Sequence, residues 1–166
     1  SFMMAASITY LPVFLREEGA NLWFAGMSLS VLEGAGVFGA LIGGSLSDLL
    51  GRRWVLVFSF LVTPAMMLAL VNATGWTRLL LLLVLGFSGL MATPVIMASV
   101  QESFPESRAL ANGVYMALSF GIRSMVVVLV GVLADWMGMR WTFLACALLA
   151  AMGTPFVFGL SVKASR

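Results

Sequence analysis

The chain contains no histidine and a single cysteine, and charged side chains make up only 10% of its 166 residues. Without histidine, a His-based metal site or general base is excluded, and one cysteine cannot form an internal disulfide. Nine Lys and Arg against seven Asp and Glu give a net charge of +2, too few cations for a nucleic-acid-binding surface. We therefore expect no metal, no cofactor, no nucleic-acid partner and no enzymatic activity.

Apolar residues are correspondingly abundant: 61% of the chain is hydrophobic, and its mean hydropathy is +1.07. Soluble domains contain roughly 45–50% apolar residues, and a domain of about 150 residues buries only about 70% of the surface that its unfolded chain exposes. A water-soluble fold could not bury this much apolar surface. The composition therefore predicts an integral membrane protein with the lipid bilayer as its environment.

Charged and turn residues divide the chain into six apolar stretches, and a membrane-spanning helix needs about 20 apolar residues. The predicted spans are residues 1–15, 23–47, 54–71, 79–100, 109–134 and 141–162. Because these stretches are apolar throughout, they do not fit the alternation of barrel strands. We expect one all-α domain of six transmembrane helices. The first span begins without an initiator Met or a polar flank, which predicts a fragment of a longer protein.

An internal repeat becomes visible when the chain is compared with itself at a shift of 87 positions. Seven of 21 positions are then identical: Gly34 pairs with Gly121, Gly44 with Gly131, Leu46 with Leu133, Asp48 with Asp135, Gly51 with Gly138, Arg53 with Arg140 and Trp54 with Trp141. Three spans is an odd number, so the two copies, residues 1–75 and 76–166, are expected to cross the membrane in opposite directions. Inverted repeats are typical of secondary transporters, which bind substrate near the midplane.

The placement of Lys and Arg predicts which loops face the cytoplasm. The second and fourth loops and the C-terminal tail carry Arg52, Arg53, Arg108, Lys163 and Arg166, whereas the other loops carry Arg16, Arg78 and Arg140. This bias places the loop of residues 48–53 and the C-terminus in the cytoplasm of a multi-pass cell-membrane protein.

Residues 44–53 read GSLSDLLGRR and match the loop signature G-x-L-x-D-x-x-G-R-R of the major facilitator superfamily. Residues 105–108, PESR, followed by residues 111–113, ANG, resemble that family's second recurrent loop. The resemblance covers the whole chain. It implies a transporter of twelve spans in two halves. The chain resembles the C-terminal, drug-efflux-like half, with the N-terminal six-helix half as its missing partner and a bacterial inner membrane as its location.

The resemblance also implies a conformational role for the signature loop. The family's loop is thought to latch one conformation through a network of Asp, Arg and an acid, which here would join Asp48 and Arg52 to Glu102 or Glu106. Gly51 must reverse the chain between two helices, and glycine adopts a positive φ at low cost. The predicted loop motif comprises Gly44, Asp48, Gly51, Arg52, Arg53, Glu102, Glu106 and Arg108.

Two ionisable residues, Glu33 and Arg123, lie inside predicted spans. Each costs about 2.5–3.5 kcal/mol at the bilayer centre on insertion scales, and helix rise places them at similar depths, roughly 15 and 17 Å from the outer ends of their helices. Three interpretations stay open. Arg123 binds an anionic substrate group while Glu33 carries a proton; the two form a structural salt bridge within or between halves; or each pairs with the missing half.

Weaker candidates for a solute cavity are Tyr10, Thr93 and Tyr115, each of which could instead form a helix–helix hydrogen bond. Small residues at 35, 39 and 43, and again at 113, 117 and 121, predict close helix packing. The function predicted from the sequence is secondary active transport of a small organic solute, anionic or a drug, by proton-coupled alternating access. The alternative is a non-transporting six-helix scaffold or binding subunit that works only with a partner half.

Overall fold

A computed structural model describes residues 2–159, with side chains described from Met4 to Met152. Its helices are α1 (Phe2–Glu17), α2 (Leu22–Leu50), α3 (Arg52–Asn72), α4 (Thr77–Ser103), α5 (Arg108–Met137) and α6 (Met139–Gly159), with a single 3-10 turn, Pro105–Ser107, before α5. No strand occurs within these residues. The all-helical prediction is therefore confirmed for the described part of the chain, and the helices extend beyond several of the predicted span ends.

Four of the described helices, α2 to α5, are long and apolar enough to cross a membrane. α1 has 16 residues, and the apolar part of α6 with described side chains, Met139–Met152, is also shorter than a full span. Five tryptophans are exposed near helix ends, as an interfacial belt predicts: Trp23, Trp54, Trp76, Trp136 and Trp141. These features support a multi-pass membrane protein. The predictions for Lys163, Arg166 and the end of the sixth span lie outside the described residues.

The helices pack in a pattern that is unchanged when α1, α2 and α3 are exchanged with α4, α5 and α6. The α2–α4 contact has α5–α1 as its counterpart, and α3–α4 has α6–α1. In the same way α1–α2 corresponds to α4–α5, and α2–α3 to α5–α6, while α3–α6 and α1–α4 map onto themselves. Two intertwined three-helix units of the same internal arrangement would produce this pattern.

Helices α2 and α4 approach each other closely, because glycines remove side-chain bulk between them. Gly39 lies against the backbone of Phe87, and Gly86 lies against the backbone of Leu32, so an added methyl at either glycine would overlap the facing carbonyl oxygen. Packing by this small-residue stripe is therefore confirmed at α2. The prediction of close packing is wrong for the second stripe, because Gly113 and Gly121 on α5 have no atom within 4 Å of an added Cβ. Helix α5 is largely exposed among the described residues.

The repeated loop glycines have the same conformation at both ends of the bundle. Gly51 has φ +89° and Gly138 has φ +82°, a region that favours glycine because a Cβ is strained there. Each donates its backbone N–H to the carbonyl four residues earlier, Ser47 at 3.1 Å and Ala134 at 2.9 Å. The prediction of a positive φ at Gly51 is confirmed, and its repeat partner forms the same helix end.

Candidate functional site

A cavity of about 300 Å³ opens between α1, α4 and α5. This volume lies at the lower end of the range for small-molecule sites. Its lining residues come from three helices: Met4, Ala5 and Ile8 of α1, Gly89, Leu90 and Thr93 of α4, and Tyr115, Met116, Ser119, Phe120, Ile122, Arg123 and Val126 of α5. The structure therefore brings together three of the five residues predicted for substrate or ion coupling, Thr93, Tyr115 and Arg123.

The cavity combines one cation with hydroxyl groups and apolar walls. Tyr115, Ser119, Ile122 and Val126 are spaced by three or four residues, which places them on one face of α5. Arg123 lies next to that face and supplies the only charged side chain among the lining residues described. A guanidinium with nearby hydroxyls can bind an anionic group through charge-assisted hydrogen bonds, while the apolar wall accommodates a carbon skeleton.

Tyr10 lies outside this lining and connects two helices instead. Its hydroxyl donates to the Val127 carbonyl of α5 at 2.8 Å. The approach depends on Gly131, because an added Cβ there would lie 2.6 Å from the Tyr10 oxygen. The structure thus favours the helix–helix hydrogen bond over the solute contact that the sequence also allowed for Tyr10. Gly131, one of the repeated glycines, therefore has a packing role: it leaves room for the Tyr10 hydroxyl.

Glu33 does not meet Arg123 in this structure. It is half-buried on α2, it is absent from the cavity lining, and no ion pair of either residue occurs within the described part of the chain. The physical reason is lateral position: α2 and α5 each pack on α1 and α4 rather than extensively on each other. The interpretation as a direct Glu33–Arg123 bridge within the chain is therefore wrong for this conformation, whereas the other interpretations stay predictions.

At the α2–α3 loop, the guanidinium of Arg52 forms a two-point hydrogen-bonded ion pair with the carboxylate of Glu102, at the end of α4. Asp48 lies near enough to interact with Arg52 electrostatically, and Arg108 does the same with Glu102. Glu106, the alternative acid, lies exposed on the 3-10 turn and forms no ion pair among the described residues. The geometry selects Glu102 as the partner; the conformational role of the motif stays a prediction.

Sequence reasoning missed a second charge cluster, which we call the Glu18 cluster: Glu18, Asn72, Arg78 and Arg140. Arg78 is 5% exposed and donates to the Glu18 carboxylate at 3.0 Å and to the Ala73 carbonyl at 2.7 Å. Arg140 lies 4.0 Å from the other Glu18 oxygen and donates to the Asn72 amide oxygen at 3.4 Å. From the sequence, Arg78 and Arg140 were identified only as cations in loops, with no predicted partner. The loops of the cluster follow the first, third and fifth helices, which was the available signal that they share one end of the bundle.

The fold and the site together define a class of protein: an all-helical membrane domain with a solute-sized, amphipathic cavity between its helices. The chain belongs to the Major Facilitator Superfamily: the model of that family matches residues 1–166. The resemblance inferred from the signature loop is thereby confirmed.

Curated relatives support the same family. The chain is 26% identical over 159 residues to the fosmidomycin resistance protein of Escherichia coli (strain K12), covering 95% of the chain and 39% of that protein. It is 30% identical over 151 residues to the uncharacterized MFS-type transporter YttB of Bacillus subtilis (strain 168), covering 90% of the chain and 37% of that protein. The chain thus spans less than two fifths of the length of these relatives. No solved structure matches.

Proposed function

We propose that this chain is the C-terminal six-helix half of a secondary active transporter, and that it contributes an anion-binding face to the path of a small organic solute. The observation that carries the proposal is the cavity with Arg123 as its charged residue. Family membership and the name of YttB, an MFS-type transporter, support membrane transport. They do not favour the alternative of a non-transporting scaffold, and they suggest a non-enzymatic protein.

The binding step follows from the composition of the cavity wall. A cation within a membrane-spanning helix is costly unless it faces water or a partner, and Arg123 is exposed on the cavity side of α5. A carboxylate, sulfonate or phosphonate group would neutralise it, and Thr93 and Ser119 would donate hydroxyl hydrogens to the remaining acceptor oxygens. Met116 and Phe120 would contact the apolar body. The solute class proposed is therefore a small organic anion with an apolar part.

Alternating access is supported by the internal repeat. The helix contacts map onto themselves when the two three-helix units are exchanged, and the repeated glycines Gly51 and Gly138 end their helices in the same way. In this family two six-helix halves rock against each other around a central site, and inverted three-helix repeats are nested within each half. We propose that residues 1–75 and 76–166 are the nested repeats of one half, and that Asp48, Arg52 and Glu102 hold one conformation at the predicted cytoplasmic end.

For proton coupling we propose Glu33, which lies half-buried within α2 and has no ion-pair partner within the described residues. Because it stands apart from the Arg123 cavity, its protonation would affect the solute through helix position, not through a bond to Arg123. In the alternative arrangement, Glu33 pairs with a residue of the N-terminal half. In both cases, neutralising Glu33 should abolish the response of uptake to a pH gradient while solute binding persists.

The test uses the full-length gene product that contains this chain, reconstituted in proteoliposomes. Uptake is measured for fosmidomycin, suggested by the name of one relative, and for benzenesulfonate, with benzenesulfonamide as the neutral counterpart. Each is measured with and without an imposed pH gradient. We expect the anions to be transported, and Arg123→Gln to raise KM by roughly 10- to 100-fold, since hydrogen bonds to charged groups contribute about 1.5–3 kcal/mol.

The matched control is Arg16→Gln, which removes one positive charge from the end of α1, outside the cavity lining. Its KM should equal that of the unmodified transporter. Equal KM values for Arg123→Gln and Arg16→Gln would refute the anion site. Uptake that ignores the gradient and survives Glu33→Gln would refute the proton coupling without touching the binding proposal.

A further inference from the structure

Two apolar cavities lie along the seam between α2 and α4, and they share no lining residue with the Arg123 cavity. One has a volume of about 630 Å³ and includes the ends of α2 and α3 at their loop; the other has about 410 Å³ and lies deeper between α2 and α4. Phe87 lines both, so the two cavities adjoin. We call them together the α2–α4 groove. Its walls come from residues 35–50, 54–58 and 83–91, and every lining residue is aliphatic, aromatic or methionine.

The groove has the depth of one leaflet of the membrane. Its lining residues on α2 extend from Leu50, the last residue of that helix, to Ala35, near the middle of its 29 residues. This distance is about 22 Å along the helix axis, whereas half of a bilayer hydrocarbon core is about 15 Å. The groove therefore runs from the membrane interface to about the midplane, the depth that an acyl chain of a single lipid occupies.

The groove is open along its side, because Phe38, Leu50 and Trp54 in its walls are exposed. Within a bilayer these side chains face hydrocarbon, and lipid tails are as apolar as the walls. An apolar body therefore gains little from the hydrophobic effect when it enters the groove. Selectivity for one occupant must come from close packing and from a polar group at the mouth.

Arg53 supplies a polar group at the mouth. It is the second residue of α3, it is exposed, and it precedes Trp54, which lines the groove. Tryptophan side chains favour the level of the lipid headgroups, so Arg53 lies where lipid phosphates are found. A guanidinium binds phosphate through charge-assisted hydrogen bonds, often two in parallel, and basic residues between helices at a membrane surface attract anionic lipids.

We propose that the α2–α4 groove binds an anionic phospholipid, with one acyl chain lying in the groove and the phosphate held at Arg53. The lipid belongs to the leaflet at the Arg52 end of the bundle and contacts α2, α3 and α4 together. Because the groove is separate from the Arg123 cavity, lipid binding there does not require that the protein transport a solute.

The position of Trp54 in the groove wall allows lipid contact to be measured by fluorescence quenching. In the full-length gene product every other tryptophan is replaced by phenylalanine, and the protein is reconstituted in phosphatidylcholine vesicles. Phosphatidylglycerol brominated on its acyl chains is included at increasing mole fraction, and phosphatidylcholine brominated at the same positions is the reference. We expect Trp54 to be quenched with a relative affinity about five-fold higher for phosphatidylglycerol, the effect of one cation on an anionic lipid. Arg53→Gln should abolish this preference.

The matched control is a variant that keeps Trp141 alone, because the Arg-Trp pair at residues 140–141 is the repeat counterpart of the pair at 53–54. Trp141 is exposed like Trp54 but lines neither cavity of the groove. Both brominated lipids should quench it equally. The same preference at Trp141 would overturn the groove site and leave a general attraction of anionic lipid to interfacial arginine. Equal quenching of Trp54 by the two lipids, or no quenching by either, would overturn it as well.

If the single-tryptophan variants do not accumulate, the phosphatidylglycerol molecules retained by the full-length protein are counted by native mass spectrometry. Leu50→Glu places a carboxylate at the mouth of the groove, where it repels the phosphate. The control is Leu49→Glu, at an exposed residue outside both linings. We expect Leu50→Glu to retain one phosphatidylglycerol fewer than Leu49→Glu, and equal numbers would overturn the lipid site.

Discussion

The close approach of α2 and α4 gives the sharpest stability prediction. Gly39→Ala introduces a methyl group that would overlap the carbonyl oxygen, carbonyl carbon and Cα of Phe87. These are backbone atoms, so relief requires the two helices to separate. For Gly36→Ala the three nearest atoms belong to the side chain of Leu90, whose end can rotate, and Gly34→Ala meets no atom within 4 Å.

The three variants separate helix propensity from packing. Each replaces a glycine inside the same helix by alanine, and each should gain about the same amount, near 1 kcal/mol, from helix propensity. Overpacking a close interface costs about 1–3 kcal/mol. The propensity gain is common to Gly39→Ala and Gly34→Ala, so it drops out of the difference between their unfolding free energies. We therefore expect Gly39→Ala to be less stable than Gly34→Ala by about 1–3 kcal/mol, with Gly36→Ala in between.

Reversible unfolding in mixed micelles by an SDS titration, followed by far-ultraviolet circular dichroism, measures these differences. The slope of the unfolding transition should be the same for all three variants. Equal unfolding free energies for Gly39→Ala and Gly34→Ala would refute the backbone-to-backbone approach of α2 and α4, and with it the arrangement that keeps Glu33 away from the Arg123 cavity.

Three further predictions concern the loops and α1. Gly51→Ala should lower the unfolding free energy by about 1–3 kcal/mol because φ +89° is strained for alanine; Gly44→Ala, in open space within α2, is the control in the same titration. Tyr10→Phe should cost about 0.6 kcal/mol, the average for an interhelical hydrogen bond, and leave the KM for benzenesulfonate unchanged, whereas an increased KM would return Tyr10 to the cavity. Arg52→Gln and Glu102→Gln should slow uptake to the same extent, and the double variant should be no slower than either; additive effects would show that the pair does not act as a unit.

Much of the fold was predictable because the bilayer imposes a strong pattern on sequence. From the end of α1 to the start of α6, charged and turn residues marked each helix end within a few positions, and the loop glycine Gly51 could be assigned a positive φ because the chain must reverse there. The pattern is weaker at the first span, where α1 has 16 residues. Length alone therefore did not establish each helix as a full membrane span.

The cavity was predictable only in part, because sequence position gives depth along a helix but not the identity of its neighbours. Thr93, Tyr115 and Arg123 lie on the cavity faces of α4 and α5. Helix rise predicts similar depths for Glu33 and Arg123, yet their helices are separated by α1 and α4. Tyr10 has the chemistry of a cavity residue, and only the nearby Val127 carbonyl assigns it to a helix–helix bond.

The Glu18 cluster shows why an identity search misses part of a structural repeat. Arg53 and Arg140 correspond at the shift of 87 positions, but the same shift carries Glu18 to Pro105 and not to an acid. In space, however, Glu18 and Glu102 lie at the ends of α1 and α4, the first helices of the two units, and each accepts an Arg from the first turn of α6 or α3. The correspondence therefore holds for helix ends and for the sign of the charges, but not for residue register. A long side chain absorbs a shift of a few residues, so opposite charges near the helix ends can pair the two units at both ends of the bundle without an exact match in register.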